Sequence, residues 1–348
     1  MDDLLKDIMA ENKQGGKVSK SKISFNLIIA GLFALVLMTA CTPSKPPQQF
    51  TLRIGLFPVL DTMPYYVMKE QGFAKKNHIQ FVETTYPGGD AVIEAMAAGK
   101  VDVGISIGSV PVLSAAERGM IPDTIIPVAA NDFADPEHPG MAVLAAKSVT
   151  GWRDLAGQQI AVNAKNSITS AALIGRLKLE GVHNYTIVEI DFPNMGLAVA
   201  GGNIAAAGLM EPYLTQSLLR GDGKLLGWII GGSPFEQFQY TMVVFRSEFY
   251  RSQPQAVRAF LRAYLQALQW TNRNPDESRL ILARSLNLSP EVTRKMKLLR
   301  FSPDGRNDPT LLMGMQTLLI DIGMLKKRIP ENKLYDETLL NEVHAEKR

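Results

Sequence analysis

Residues 50–65, FTLRIGLFPVLDTMPY, combine the pattern of a strand with the start of a helix. The first part of this stretch, Phe50 to Phe57, is typical of a β-strand. Asp61 and Thr62 are residue types that cap helices, and Pro64 suits the first turn of a helix, so a helix is predicted from Tyr65 to about residue 71. A strand followed at once by a helix is the repeating unit of an α/β fold.

Similar units follow along the chain. Further strands are predicted at residues 79–84, 101–105, 125–130, 141–146, 159–163, 186–190, 205–209 and 241–245. Helical segments separate most of these strands, and the alternation restarts after residue 140 without a close internal repeat. This pattern predicts an α/β protein with two successive βα runs and mainly parallel sheets. After residue 245 the pattern is helical, and residues 254–272 carry apolar side chains at the spacing of a helix that packs on the core.

Composition excludes several classes of protein. The 348 residues are 46% apolar and 20% charged, which is typical of a globular chain and not of a disordered or collagen-like one. The formal net charge of +3 is too close to neutrality to indicate a nucleic-acid partner. Cys41 is the single cysteine of the sequence, so neither an internal disulfide nor a cysteine-based metal cluster can form.

Motifs of catalysis are missing from the sequence. The four histidines, His78, His138, His183 and His344, are scattered and lack the spacing of metal ligands. The sequence contains no Gly-x-Ser-x-Gly elbow and no phosphate-binding glycine-lysine loop. We therefore expect no catalytic residues, no metal and no cofactor.

The first forty residues have the organisation of an export signal. Three lysines between residues 17 and 22 precede an apolar run from Leu27 to Met38, and the small pair Thr39-Ala40 leads to Cys41. The run is too short to cross about 30 Å of hydrocarbon as a helix. Residues 37–41, Leu-Met-Thr-Ala-Cys, resemble a bacterial lipobox, in which the cysteine becomes the acylated first residue of the mature chain.

This resemblance implies a signal peptide at residues 1–40 and a lipid on Cys41 that anchors the protein to a membrane, at its periplasmic face or at the cell surface. An uncleaved anchor, or a buried cysteine, is the alternative interpretation. Residues 41–49, rich in Pro, Ser and Gln, are predicted to form a solvated tether.

Six short motifs stand in an order and spacing that resemble one known family. They are Ile54-Gly-Leu-Phe-Pro58, Asp61-Thr-Met-Pro-Tyr65, Gly88-Gly-Asp90, Gly99-Lys-Val-Asp-Val-Gly104, Asp154-Leu-Ala-Gly-Gln-Gln-Ile-Ala-Val162 and Gly208-Leu-Met-Glu-Pro-Tyr213. The chain resembles, over about residues 50–270, the substrate-binding proteins of ABC importers for nitrate, sulfonates, taurine and thiamine precursors.

The resemblance implies a type II periplasmic-binding-protein fold, in which two lobes joined by two crossover strands hold the ligand between them. On this chain the crossovers are expected near residues 141–147 and 239–245. The first lobe would then comprise residues 50–147, the inserted second lobe residues 148–238, and the mostly helical residues 239–348 would return to the first lobe.

Ligands of open parallel sheets bind beyond the carboxyl ends of the strands, where the free N–H groups of helix N-termini favour polar or anionic groups. Four such junctions occur, at residues 57–65, 106–111, 163–170 and 211–212. The side chains predicted to bind ligand in or near them are Phe57, Asp61, Thr62, Tyr65, Ser106, Ser109, Asn131, Asn163, Ser167, Thr169 and Glu211.

Several of these residues have an equally simple structural interpretation. Asp61 and Ser167 could serve only as helix caps, and Tyr65 could be a core aromatic. Glu211 could cap a helix or hold a cationic or N–H-bearing ligand. Lys165 is the only basic side chain in the four junctions, so a monoanion held by backbone N–H groups, or a neutral heterocycle, is expected rather than a multiply charged phosphate.

These observations predict a monomeric receptor that captures a small solute and delivers it to an ABC permease in the membrane. An exported sensor or scavenger with the same cleft is a second hypothesis. An enzyme of the same fold is a third.

Overall fold

The computed structural model describes residues 48–233 and 235–346, and within them the β-strands form two separate sheets. Cys41, predicted to carry a lipid, lies outside the described residues, as do the predicted signal peptide and most of the predicted tether. The strands, in chain order, are β1 Phe50–Leu56, β2 Ile79–Thr85, β3 Val103–Gly108, β4 Ile125–Ala134, β5 Met141–Ala145, β6 Gln159–Val162, β7 Thr186–Glu189, β8 Ala206–Leu209, β9 Lys224–Ile230, β10 Phe238–Arg246 and β11 Arg300–Phe301.

The first sheet has the strand order β11-β4-β10-β3-β1-β2, and the second has the order β7-β6-β8-β5-β9. We call each sheet with the helices packed on it a lobe. The predicted α/β, two-lobe fold is thereby confirmed.

The helices flank both sheets. They are α1 Met63–Glu70, α2 Phe73–Lys76, α3 Gly89–Ala97, α4 Ser109–Glu117, α5 Ile168–Leu179, α6 Phe192–Ala200, α7 Tyr213–Arg220, α8 Ser247–Ser252, α9 Pro254–Arg273, α10 Pro275–Leu286, α11 Pro290–Lys295, α12 Pro309–Asp321 and α13 Thr338–Ala345. Short 3₁₀ turns occupy Leu60–Thr62, Trp152–Leu155 and Glu331–Lys333.

Both sheets are mixed, whereas mainly parallel sheets were expected. Strand β1 pairs in parallel with β2 and β3, and β6 pairs in parallel with β7 and β8. Strands β4, β5 and β10 pair antiparallel with their neighbours. The βα units account for the parallel pairs, since a crossover helix returns the chain in the same direction. The antiparallel pairs involve the strands next to the passages between the lobes.

The passages between the sheets differ from the expected crossovers. Strand β4 belongs to the first sheet and β5 to the second, so the chain changes lobe between residues 134 and 141 and not after residue 147. The chain returns between residues 230 and 238, and β10 lies wholly in the first sheet. Every residue of β4 and of β5 is buried, so no alternation of polar and apolar residues marks the sheet that either strand joins.

The long helix α9 lies where the apolar spacing predicted it. It buries the predicted stripe of Val257, Phe260, Leu261, Tyr264, Leu265 and Leu268, and it packs against α1 and α13 of the first lobe. Helix α9 therefore packs with the first lobe. Within residues 48–233 and 235–346, none of the helices combines the length and the apolar character that a membrane crossing requires.

Candidate functional site

A small cavity of about 30 Å³ lies between the two lobes. From the first lobe it is lined by Phe57, Asp61, Gly89, Ser106, Gly108, Pro111, Tyr240 and Thr241, and from the second by Asn163, Ser167, Ile168, Thr169, Phe192 and Met210. Most of these residues follow the carboxyl ends of β1, β3, β6, β7 and β8. This is the edge where open α/β sheets hold their ligands.

Six of the side chains predicted from the sequence are brought together in this cavity. They are Phe57, Asp61, Ser106, Asn163, Ser167 and Thr169. Ser106 adopts a left-handed backbone angle, φ 62°, inside a strand. Such a conformation is uncommon for a residue other than glycine and occurs often at functional sites. The prediction that ligand residues follow the carboxyl ends of the strands thus identified side chains that are far apart in sequence and line the same cavity.

Asp61 is the acidic residue of the cavity wall. It lies in the 3₁₀ turn Leu60–Thr62, is 1% exposed, and neither of its carboxyl oxygens accepts a hydrogen bond from another described residue. Burial raises the pKa of Asp61 well above its usual range, and the neighbouring Asp132 raises it further, while the residue's own backbone N–H opposes part of this rise. The Asp61 side chain forms no capping hydrogen bond with the 3₁₀ turn or with α1, so it does not act as a helix cap.

Asp132, by contrast, is fully provided with donors. It accepts hydrogen bonds from the backbone N–H of Thr241 at 3.0 Å and from the Thr241 hydroxyl at 2.7 Å, and the Asn131 amide donates to it at 2.9 Å. Burial raises the pKa of Asp132, and the bonds from Thr241 lower it again in part. The two buried acids therefore differ in that only Asp61 lacks donors.

Asn131 lies behind the cavity wall, although it was predicted to contact ligand. Its amide faces the backbone oxygen of Asp61 at 2.9 Å and the Thr241 hydroxyl at 2.8 Å, and the Tyr264 hydroxyl donates to its side-chain oxygen. Since its polar atoms are occupied by protein groups, Asn131 positions the Asp61 turn against β4 and β10. Sequence pattern could not reveal this, because the partners are brought together only by the fold.

Three further predicted residues are buried beside the cavity without lining it. The Thr62 hydroxyl donates to the Val59 carbonyl at 2.6 Å and closes the 3₁₀ turn. The Tyr65 ring is 0% exposed and packs edge-on against Phe81 at 5.2 Å, so it is a core aromatic and not a stacking surface for ligand. Ser109 is buried at the start of α4, and its hydroxyl has no partner among the described residues.

Glu211 holds the boundary between the lobes together. Its carboxylate accepts from the backbone N–H and the hydroxyl of Thr215 in α7, at 3.1 and 2.8 Å, and from the backbone N–H of Lys297 at 3.1 Å. Burial raises the pKa of Glu211, and these hydrogen bonds oppose the rise. Of its two proposed roles, the helix-cap role matches the observed contacts, because the side chain does not line the cavity.

Six further side chains line the cavity and were not among those predicted. Pro111 and Ile168 lie within the predicted junctions, and the other four lie outside them. Phe192 and Met210 follow the carboxyl ends of β7 and β8, and the same prediction from strand ends would have found them. Tyr240 and Thr241 lie within β10, where no loop marks them as ligand residues. The Tyr240 hydroxyl is buried and has no partner among the described residues.

Hydrogen bonds join the two lobes around the cavity. Asn166, in the loop before α5, donates to Asp90 at 2.9 Å and accepts from the Ser114 hydroxyl at 2.7 Å. On the other side, the Tyr213 hydroxyl donates to the Pro58 carbonyl at 2.9 Å. The cavity is thus closed between two sets of polar contacts that connect the lobes.

A larger hollow of about 550 Å³ lies in the second lobe alone and includes Ser148, Gln158, Asn203 and Ala205. These residues precede β6 and β8, so the hollow lies at the amino ends of parallel strands. Ligand sites of open α/β sheets form at the opposite edge, and the interlobe cavity is therefore the candidate site. Among the described residues, no group of three His, Cys, Asp or Glu side chains is placed to hold a metal ion.

Comparison with known proteins identifies relatives of the same architecture. The taurine-binding periplasmic protein of Escherichia coli (strain K12) is 27% identical over 206 residues, which cover 59% of this chain and 61% of that protein. The structure of the alkanesulfonate-binding protein SsuA from Xanthomonas axonopodis pv. citri, bound to MOPS, superposes with a TM-score of 0.68 at 18% identity, covering 83% of this chain and 99% of that one.

The same fold also occurs in an enzyme. The desulfurization enzyme DSZB has a TM-score of 0.62 at 15% identity, with 86% of this chain and 100% of that chain covered. These structural likenesses establish the periplasmic-binding-protein fold. The sequence profile of the NMT1-like family matches residues 45–286, most of both lobes, and this chain therefore belongs to the NMT1-like family.

Proposed function

We propose that this protein is the solute-binding receptor of an ABC importer: it is exported, closes its two lobes over one small solute, and delivers that solute to a membrane permease. The observation that carries the proposal is the cavity that both lobes line, with polar contacts between the lobes around it. A ligand held between two lobes is buried when they close, and hinge closure is the usual motion of such folds.

Relatives named for binding support a receptor rather than an enzyme. SsuA shares the fold over nearly its whole length and is named for binding an alkanesulfonate. The described residues offer no metal-ligating group of three, and the cavity wall holds no pairing of a nucleophile with a histidine base.

The test uses the full chain purified from its own host in mild detergent. Native mass spectrometry should detect a small solute that leaves when the protein is partly unfolded. Adding this solute to the reconstituted permease and ATPase should raise ATP hydrolysis only when the receptor is present. Conversion of the solute by the isolated protein would overturn the receptor role in favour of an enzyme.

The position of the site is tested by a substitution that fills the cleft, together with a matched control outside it. A Cβ on Gly89 would lie 3.5 Å from the Gly108 nitrogen and 3.6 Å from Pro111, so Gly89→Leu directs its side chain into the cavity. A Cβ on Gly151 meets nothing within 4 Å, so Gly151→Leu leaves the cavity open. Only Gly89→Leu should abolish the bound solute, and equal loss in both variants would contradict a site between the lobes.

The membrane anchor is a separate part of the proposal and is supported by the sequence Leu37-Met-Thr-Ala-Cys41. Changing Cys41→Ser should release the protein from the membrane fraction and leave solute binding intact, because the acyl groups would no longer be attached. Radiolabelled palmitate in growing cells should label the unaltered chain only. Unchanged membrane retention of the variant would contradict lipidation at this position.

A further inference from the structure

Asp61 is a buried acid that lines the candidate site and accepts no hydrogen bond from any other described residue. Both carboxyl oxygens are shielded from solvent and neither is hydrogen-bonded to another described residue. An unpaired carboxylate is among the most unfavourable groups to bury, so buried acids are normally paired or hydrogen-bonded. Such a group at a cavity wall indicates that its partner comes with the ligand.

The donors that Thr241 and Asn131 provide near Asp61 are committed to another acid. The Thr241 hydroxyl and backbone N–H and the Asn131 amide converge on Asp132, which lies behind the wall. Asp132 is therefore satisfied from inside the protein, and its negative character adds to that of Asp61. Of these two neighbouring acids, only Asp61 lines the cavity, and it accepts no hydrogen bond from another described residue.

The rest of the wall provides uncharged polar groups and apolar faces, but no positively charged side chain. Among the described residues that line the cavity, none is Lys, Arg or His. The side-chain oxygen of Asn163 and the hydroxyl of Tyr240 are also without partners. Phe57 and Phe192, 7% and 6% exposed, contribute flat apolar surface from opposite lobes. An anion would meet Asp61 here without a balancing side chain.

Building on the receptor function above, we propose that the cleft binds a small organic cation whose charge is spread over adjacent N–H donors, of the amidinium or guanidinium class, with the Asp61 carboxylate as its anchor. Two free oxygens of one carboxylate match two parallel N–H groups, which is the strongest geometry for such a pair. The aromatic faces of the two lobes then cover the planar body of the cation. This ligand differs from the monoanion or neutral ring expected from the sequence. The difference arises because only the fold shows that no other described residue hydrogen-bonds to Asp61.

The test compares pairs of probes that share a methyl or a phenyl group and carry opposite charges. Methylguanidinium and benzamidinium, against methanesulfonate and benzenesulfonate, are titrated into the purified full chain at pH 7.5 by calorimetry. At least one of the two cations should bind, and neither sulfonate should do so at a tenfold higher concentration. If a sulfonate binds and both cations fail, or if none of the four probes binds, this inference is overturned, whereas the receptor function is judged independently by the co-purified solute.

The variant Asp61→Asn separates a binding role from a structural one. It should weaken binding of the cation by at least tenfold and should not lower the melting temperature of the ligand-free chain, because no other described residue hydrogen-bonds to the carboxyl group that it replaces. A purely structural acid would instead lower the melting temperature when replaced. The exposed Asp123 provides the control, and Asp123→Asn should change neither quantity.

The pH dependence of the unaltered chain gives a second readout that needs no variant. The groups that face Asp61 are Asp132 on β4, Tyr240 on β10 and Tyr264 on α9. Since the pKa of Asp61 is raised, its ionised form becomes more abundant as the pH rises through that range. Affinity for the cation should therefore increase with pH, and affinity that falls or stays flat between pH 5 and 9 would contradict the assignment.

Discussion

At the scale of single residues, the acids of the first lobe show how partners decide the behaviour of a carboxyl group. Asp102 is buried like Asp61, but it accepts from Arg53 Nε at 2.9 Å and from Arg246 Nη2 at 3.0 Å. Burial would raise the pKa of Asp102, yet the hydrogen bonds from the two arginines outweigh it and leave the pKa below its usual range. Asp61 has no such donors, and its pKa is raised.

The Asp102 contacts predict a pH-dependent loss of stability. Replacing Asp102→Asn should lower the free energy of unfolding by about 2 kcal/mol at pH 7, less than the 3–5 kcal/mol typical of a fully buried pair, because Arg53 is 40% exposed and can be hydrated. A depressed pKa contributes stability above the ordinary pKa of the group, and this contribution is lost as the pH falls through the lowered value. The difference between the two proteins should therefore shrink in acid.

Urea unfolding at pH 7 and at pH 3 measures this difference. The control is Glu291→Gln, which breaks the pair with Lys295 on α11, where the two side chains are 52% and 57% exposed. Exposed pairs contribute little, so this variant should match the unaltered protein. A difference for Asp102→Asn that grew in acid would contradict the role assigned to the arginines.

At the scale of elements, the second lobe depends on the close approach of α6 and α7. Gly196 lies in α6 where a Cβ would be 2.1 Å from Ser217 Oγ and 2.5 Å from Asp222 Oδ2. Real Cβ atoms do not approach other atoms so closely, so the absence of a side chain lets the two helices pack. Phe192, at the start of α6, stacks on Tyr213 of α7 with ring centroids 5.8 Å apart. The same packing therefore positions one aromatic wall of the cavity.

Two glycine-to-alanine changes in helices should have opposite effects on stability. Gly196→Ala should lower the free energy of unfolding by about 1–3 kcal/mol through overpacking. Gly314 lies in α12, where a Cβ meets nothing within 4 Å, so Gly314→Ala should raise it by about 0.5–1 kcal/mol through helix propensity. Chemical unfolding of both variants measures the pair, and a gain in both would show that α6 and α7 have room to separate.

At the scale of the whole molecule, polar contacts between the lobes favour the closed arrangement. Asn166 forms two of them, with Asp90 and with Ser114, and the loop that carries it also places Asn163 and Ser167 on the cavity wall. Burial raises the pKa of Asp90 to about 6, and the bond from Asn166 opposes this rise. The loop that forms these contacts between the lobes therefore also brings two of its side chains to the cavity wall.

Removal of the Asn166 side chain should shift the ligand-free protein toward an open form. Two hydrogen bonds that each contribute about 0.5–1.5 kcal/mol correspond to a change of about 5- to 150-fold in the ratio of closed to open molecules. Small-angle X-ray scattering of Asn166→Ala should give a larger radius of gyration than that of the unaltered chain. Asn203→Ala removes an exposed asparagine of the same lobe and should leave the radius unchanged. Equal radii for Asn166→Ala and the unaltered chain would show that these bonds do not hold the lobes closed.

Local patterns of residues were enough to predict the α/β class, the restart of the βα pattern after residue 140, the core stripe of α9 and the edge of the sheets where polar loops gather. Each of these features is local. Hydrophobic periodicity and the order of a strand and the helix after it depend on residues that are neighbours in the sequence. The prediction from strand ends placed Phe57 and Ser167 on one cavity wall although they belong to different lobes.

The fold alone shows which sheet β5 joins, that Tyr65 belongs to the core, and that no other described residue hydrogen-bonds to the Asp61 carboxyl group. A fully buried strand carries no alternation that identifies its neighbours. Whether a buried polar group is hydrogen-bonded depends on residues that are far apart in the sequence. Asn131, for example, contacts both Asp61 and Thr241, and these three residues are distant along the chain. The ligand chemistry of the site rests on these long-range contacts, since hydrogen-bond partners are assigned by packing and not by sequence spacing.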